Sequence, residues 1–344
     1  MMPMESDSVK QGYAGRQRRY RHVVGLLAIC VLALACFMMI YGNTVYSPKE
    51  VLDALFSSES KGAAFTIRTL RLPRMLCGIL CGMAFGMAGN TFQKMLGNPL
   101  ASPDIIGVTS GASVAAVFGI LILKLNGNIV SAMAVVSGLA VAALIYVISC
   151  GNGFSNSRLI LTGIGMQAFL NALISWMLLK ASEYDVASAL RWLSGSLNNV
   201  SIGEVPRLAA AVAFGSVTIL ALNRHLEILQ LGEAYSIVLG VRLRRTRLLL
   251  ILAAILLIAF ATAVTGPIAS IAFLSGPIAS KLTKSGQNNM MAAALTGAVL
   301  VMASDMIGQY AFVSRYPVGV ITGILGAPYL ILLLFRMNQK GEGE

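Results

Sequence analysis

Ten apolar runs, most of them long enough to cross a bilayer, dominate this chain of 344 residues. The first extends from Val23 to Tyr41, and the others centre on 72–92, 104–123, 129–150, 158–180, 206–224, 247–266, 268–282, 288–309 and 318–335. A helix needs about 20 predominantly apolar residues to span the hydrocarbon, and every backbone polar group inside it must be satisfied within the protein. The runs are continuous rather than alternating, which argues against a transmembrane barrel. The expected fold is an all-α integral membrane protein of about ten transmembrane helices. Charged residues make up 12% of the chain, about half the usual share. That is too little polar surface to cover a soluble core of this size, so a soluble enzyme and a disordered chain are excluded.

Residues 1–21 are polar and basic, with Arg16, Arg18, Arg19 and Arg21 just ahead of the first run. The run is long enough to span and no small-residue cleavage site follows it. It reads as a retained first helix rather than a signal peptide. The organisation expected is a basic N-terminal segment at 1–21, a transmembrane domain at 22–336 and a tail at 337–344. Ten spans put both termini on one side. With the N-terminus inside, the outer segments hold Lys49, Lys61, Arg68, Arg71, Arg74, Lys124, Lys180, Arg191, Arg207 and Arg315, and the inner ones the remaining 16 of 26 basic residues. The excess of basic loops on the cytoplasmic side places both termini in the cytoplasm and the protein in the cell membrane. The net charge of +12 is then loop charge, and nucleic acid is not an expected partner.

One cluster runs against this rule. The second span opens Arg68-Thr-Leu-Arg71-Leu-Pro73-Arg74 on the outer side, where the positive end of the helix dipole also disfavours cations. Snorkelling toward lipid phosphates would explain it. So would a docking patch for an acidic partner outside the membrane.

Glycines organise the spans. Gly78, Gly82 and Gly86 form one bare stripe, and Gly107 with Gly111 and Gly319 with Gly323 repeat the spacing. Such stripes let helix backbones approach closely in lipid. Gly266-Pro267 and Gly276-Pro277 bracket about ten residues, so the eighth span is expected to be broken at Pro277. Breaks at membrane depth mark pathways in transporters.

Catalytic chemistry is not visible. His22 and His225 sit at membrane edges. No zinc motif, phosphate loop or nucleophile–base–acid set occurs. Cys30, Cys36, Cys77, Cys81 and Cys150 read as packing residues rather than metal ligands. The chain is not expected to be an enzyme or to hold a cofactor or metal, and if ATP drives it, another chain binds the ATP. Asp305 is the one acid well inside a span. That is too little for the relay of an ion-coupled carrier, and a structural hydrogen-bond network is the expected role.

The longest inner loop between spans, about 225–246, places Leu231, Ala234, Val238 and Val241 at helical spacing, with Gly232 and Gly240 punctuating its ends. A short helix lying across the cytoplasmic face is expected. It either rests on lipid or docks in a groove of a soluble partner with Glu233 at the rim.

Several motifs, taken in order, carry a resemblance. They are Arg71-Leu-Pro-Arg74, then Gly89-Asn-Thr-Phe-Gln93 and Asn98-Pro-Leu-Ala-Ser-Pro103-Asp-Ile-Ile-Gly107-Val-Thr-Ser-Gly111-Ala. Leu231-Gly-Glu233-Ala, Leu239-Gly240-Val, Gly266-Pro-Ile, Pro317-Val-Gly319-Val-Ile-Thr-Gly323 and Gly326-Ala-Pro328 follow. In this order and spacing, from about residue 25 to 336, the chain resembles the FecCD-type permease subunits of ABC importers for iron(III)-siderophores, haem and cobalamin. The resemblance implies ten helices per subunit and a second permease, identical or paralogous, across a central pathway. It also implies cytoplasmic ATP-binding subunits and an extracytoplasmic substrate-binding protein. It assigns ATPase coupling to Leu231, Gly232, Glu233, Ala234 and Gly240, and binding-protein docking to Arg71 and Arg74. The chain departs from the family where relatives carry Pro-His-x-x-Arg and this one has Pro277-Ile-Ala-Ser-Lys281, and where an Arg of relatives is Gln309. Arg315, further along that outer loop, is expected to supply the lost charge. The expected cargo is an iron(III)-siderophore complex. Haem or cobalamin is the alternative within the same architecture, and an ion-coupled secondary transporter the alternative outside it.

Overall fold

The computed structural model describes residues 4–56, 61–125, 127–149, 156–198, 200–284 and 289–341, and among these the chain has no strand. The helices are α1 (Met4–Ile40), α2 (Pro48–Phe56), α3 (Lys61–Ala64), α4 (Leu72–Leu96), α5 (Val108–Leu121), α6 (Asn128–Ser149), α7 (Asn156–Lys180), α8 (Glu183–Leu193), α9 (Val205–Ala221), α10 (Asn223–Leu229), α11 (Glu233–Val238), α12 (Leu243–Thr265), α13 (Ile271–Thr283), α14 (Met290–Tyr310) and α15 (Val318–Gly341). All ten apolar runs are helical. Six are long and apolar enough to cross a membrane alone, and α9 reaches that length only together with α10, from which it is bent by 53°. The runs of α5, α13 and α15 are shorter. The chain is a multi-pass membrane protein.

α4 is the axis of the bundle. It has no solvent-facing polar side, as suits a helix buried among others, and nearly every residue from Cys77 to Met95 is buried, Asn90, Gln93 and Lys94 included. α14, α13, α12, α9 and α1 surround it.

The polar segment at 43–66, between the first two apolar runs, is largely helical among its described residues. Ser47 N donates to Glu50 Oε2 at 2.7 Å and Glu50 N to Ser47 Oγ at 3.2 Å, a reciprocal cap that starts α2. The second span begins at Lys61 rather than near Leu72, and a π-helical stretch at Phe65–Arg71 joins α3 to α4. Pro73 has no N–H to donate and crowds the turn before it. A widened turn absorbs that strain without breaking the helix.

The reading of the eighth span is corrected. Pro277 lies inside one continuous helix, α13. Proline removes the donor that would bond the Phe273 carbonyl, and Gln93 of α4 supplies it instead, with Nε2 2.9 Å from Phe273 O. Gly276 leaves room for that amide: a Cβ there would stand 3.2 Å from Gln93 Cδ. The actual interruption is at 266–270, between α12 and α13. Gly266 has φ +73° and Ser270 +68°. Ser196 N donates to Thr265 O at 2.6 Å and Gly319 N to Gly195 O at 3.1 Å. The turn after α8 and the start of α15 thus brace the broken backbone, as membrane depth demands. Gln93→Leu leaves the Phe273 carbonyl buried and unpaired. It is expected to destabilise the chain by about 1–3 kcal/mol, read as a lowered midpoint in a thermal melt in detergent; an unchanged midpoint would assign the repair elsewhere.

Candidate functional site

α4 connects the two places where the candidate residues gather. From Arg74 near its start to Lys94 in its last turn the rise of 1.5 Å per residue gives about 30 Å, the thickness of a bilayer's hydrocarbon.

At the start of α4 a cavity of 290 Å³ is lined by Asn43, Thr44, Arg71, Arg74, Asp305 and Arg315 among others. The three arginines singled out in the sequence are therefore brought together, but they are not equivalent. Arg74 grips Asp305 with two parallel bonds, Nε to Oδ2 at 2.7 Å and Nη2 to Oδ1 at 2.6 Å. The two side chains are 18% and 3% exposed. Arg71 donates Nη1 to Met39 O at 2.6 Å and to Ile40 O at 2.9 Å, and Nη2 to Thr44 O at 2.5 Å. It satisfies carbonyls that the C-terminus of α1 leaves open, where a cation also complements the helix dipole. Its guanidinium lies 4.9 Å above the Tyr46 ring. Arg68 does the same for α2, reaching Ala54 O at 2.6 Å and Leu55 O at 3.1 Å. Arg315 is exposed and among the described residues donates to Asn43 Oδ1, at 2.8 Å. Gln309, at the position of the relatives' arginine, donates to Asn198 Oδ1 at 3.2 Å. Three guanidiniums against one carboxylate leave the cavity net positive, and Arg315 is the exposed member of the set. Asp305 sits in a hydrogen-bond network as expected, but as half of an ion pair that the sequence reading did not connect to Arg74. The sequence offered half of the signal: Asp305 is an acid inside a span and needs a partner, but Arg68, Arg71 and Arg74 stand together and spacing does not say which of them it takes.

At the other end α10, the turn at 230–232 and α11 form an elbow. Gly232 has φ +100° and Gly240 +79°, conformations that glycine adopts without steric penalty. They stop α11 after six residues. Ser236, fully buried, donates Oγ to Gly232 O at 2.7 Å and to Ile228 O at 3.0 Å. Val241 N donates to Ser236 O at 3.0 Å. Glu233 pairs with Arg247 of α12 at 2.8 Å. These bonds hold the elbow from beneath. The single face expected from Leu231, Ala234, Val238 and Val241 does not form. Leu231 precedes the helix and Val241 follows it, and Val241 is buried while the other three point outward. The outer surface instead carries Leu231, Tyr235, Ile237, Val238 and Leu239, with Val238 84% exposed.

The glycine stripes divide in the same way. A Cβ on Gly82 would stand 2.6 Å from Ala298 N, and one on Gly86 3.0 Å from the Ala293 carbonyl carbon, both on α14. Gly78 faces only side-chain atoms, Leu197 Cδ1 at 3.4 Å and Met302 Cγ at 3.5 Å. Gly107 and Gly111 meet α6, through Ile145 and Val141 at 2.8 Å. Gly319 lies against the Ser194 carbonyl, whereas a Cβ on Gly323 would meet nothing within 4 Å among the described residues. Cys77 and Cys81 are buried packing residues; Cys150 and the tail at 342–344 lie outside the described residues. Lys281, near the position of the relatives' arginine, sits 4.8 Å over the Tyr329 ring.

The profile of the FecCD transport family matches residues 28–336. The chain is 33% identical to the ferric enterobactin transport system permease protein FepG of Escherichia coli, covering 92% of this chain and 96% of the relative. It is 35% identical to the achromobactin transport system permease protein CbrC of Dickeya dadantii, covering 96% of each. It is 32% identical to the vitamin B12 import system permease protein BtuC of Vibrio cholerae, covering 94% of this chain and 97% of the relative. Among solved structures, an inward-facing metal-chelate type ABC transporter superposes with a TM-score of 0.83 at 23% identity, covering 92% of this chain and 99% of that one. At that identity the likeness speaks for the fold.

Proposed function

This chain belongs to the FecCD transport family, and from that membership we propose that it is the membrane-spanning permease subunit of an ABC importer carrying an iron(III)-siderophore complex inward. Two of the relatives compared above carry siderophore names, and the third is a vitamin B12 permease. The exposed apolar elbow is the observation that carries the reading. A lone chain gains nothing from holding Val238 and four apolar neighbours outward on a turn anchored by Ser236 and Arg247. A partner's groove would bury them. In this reading cytoplasmic ATP-binding subunits grip Leu231, Gly232, Glu233, Ala234 and Gly240, so the elbow and both termini face the cytoplasm. Acidic groups of an extracytoplasmic binding protein meet the net-positive cavity, with Arg315 making the exposed contact and Arg71 and Arg74 shaping it from behind. A second permease, identical or paralogous, completes the pathway, and the open face at Gly323 is a place for it.

The test uses the assembled transporter. Val238→Glu puts a charge into the proposed ATPase contact. It is expected to abolish both copurification of the ATPase and uptake of radio-iron as its siderophore complex. Arg315→Glu is expected to keep the ATPase bound but lose stimulation of ATP hydrolysis by the loaded binding protein. Full copurification and uptake with Val238→Glu would overturn the coupling assignment, and undiminished stimulation with Arg315→Glu the docking one.

A further inference from the structure

Beneath the elbow lies a buried polar cluster that the assignments above do not use. Lys94, in the last turn of α4, is 8% exposed, and its Nζ makes no hydrogen bond among the described residues. Asn223 opens α10, which packs on α4. It is 5% exposed and its Oδ1 is likewise buried without a hydrogen-bond partner. The other half of that amide is engaged: Asn223 Nδ2 donates to Glu227 Oε1 at 3.0 Å. Glu227 therefore stands one turn beyond Asn223 on the same helix, the one packed against α4. An ammonium kept in the interior without hydrogen bonds is costly, and the carbonyl end of α4 offsets only part of that. A well-packed apolar side chain would be more stable there. An unsatisfied donor and an unsatisfied acceptor on two packed helices fit a site that closes in a second arrangement of the same elements.

The wiring around the cluster says which elements those are. α10 runs into the elbow, where Ser236 holds the Ile228 carbonyl and Glu233 holds Arg247. Any push on the elbow therefore moves Glu227 and Asn223 relative to Lys94. α4 then runs on for about 30 Å to the Arg74–Asp305 pair.

We propose that Lys94 and the Asn223–Glu227 pair form the contact through which displacement of the elbow reaches α4, making Lys94 a positioning residue for the coupling of ATP turnover to transport. The proposal rests on the assignment of the elbow to the ATPase.

The complete transporter in proteoliposomes, with its ATPase and loaded binding protein, tests it through the single variants Lys94→Met and Glu227→Gln and their double variant. Each single variant is expected to keep the ATPase bound while cargo moved per ATP hydrolysed falls about tenfold, within the usual range of coupling between linked sites. The double variant is expected to fall no further, because the two changes break one contact. Lys94→Met is expected to raise the melting temperature while lowering coupling, an opposition that a merely structural lysine does not produce. Unchanged stoichiometry in both single variants overturns the proposal. So does a double loss equal to the product of the single ones, or stability and transport falling together in Lys94→Met. If Lys94→Met does not accumulate, Glu227→Gln decides alone by its stoichiometry. Failure of the elbow assignment shows separately, as ATPase retained by Val238→Glu.

Discussion

Asp305→Ala is expected to destabilise the purified chain by about 3–5 kcal/mol. The figure follows from burial. An exposed ion pair is worth about 0–1 kcal/mol, but here the carboxylate is 3% exposed and the guanidinium 18%. Removing the acid therefore strands a cation inside the bundle. The bidentate geometry at 2.6 and 2.7 Å adds two charge-assisted bonds that no neighbour replaces. Thermal melting in detergent reads the loss, and Arg74→Met/Asp305→Leu is expected to recover most of it, since an apolar pair of similar volume needs no desolvation. Arg74→Glu should be worse than Arg74→Met, because it sets two carboxylates side by side. A loss under about 1 kcal/mol for Asp305→Ala would mean that the guanidinium reaches water. The consequence for docking is direct: a variant of Arg74 that loses response to the binding protein has first lost the tie between α4 and α14. Arg315 tests docking cleanly because its hydrogen-bond partner among the described residues is an exposed asparagine.

What could be read from the sequence follows from the range of the interaction that decides each feature. The ten helices are legible because span length and apolarity are local properties set by the bilayer. Gly232 and Gly240 mark the elbow's ends for the same reason: a positive φ is a demand on one residue. The direction in which the elbow's apolar side chains point is not legible. Leu231, Ala234, Val238 and Val241 have the same spacing whether they pack inward or face a partner, and Ser236 and Arg247 decide it from other positions. Pro277 misleads in a similar way. Its missing donor is a local fact, but Gln93, which replaces it, lies 180 residues before the Phe273 carbonyl it serves. The Arg74–Asp305 pair spans 231 residues, so each partner taken alone reads as an isolated charge: one a docking candidate, the other a polar residue in a span. The break at 266–270 is announced by Gly266-Pro267, yet its location rather than its existence depends on Gly195 and Gly319 arriving from elsewhere.

Gly86→Leu is expected to keep the chain from accumulating in the membrane, whereas Gly78→Ala in the same stripe should accumulate and transport normally. The two positions have one motif and opposite surroundings. At Gly86 the first added carbon meets the backbone of Ala293, with its carbonyl carbon at 3.0 Å and Ala294 Cα at 3.3 Å, and a helix backbone cannot rotate aside. α14 answers with its own glycine: a Cβ on Gly297 would stand 3.1 Å from Gly86 Cα. Both helices are bare where they cross, and without a hydrophobic force between them in lipid that close contact is what holds them. Inserting a leucine pushes the axes apart along the whole interface. The penalty exceeds the about 1–3 kcal/mol usual for overpacking, because Gly82 against Ala298 and the Arg74–Asp305 pair above it lose their register as well. At Gly78 the nearest atoms are the ends of Leu197 and Met302, at 3.4 and 3.5 Å, and a methyl group fits at ordinary contact distance. Expression with quantitative blotting and siderophore uptake separates the two variants. Normal accumulation of Gly86→Leu would show that α4 and α14 can part, and then the pair could not serve as the rigid member against which the elbow works.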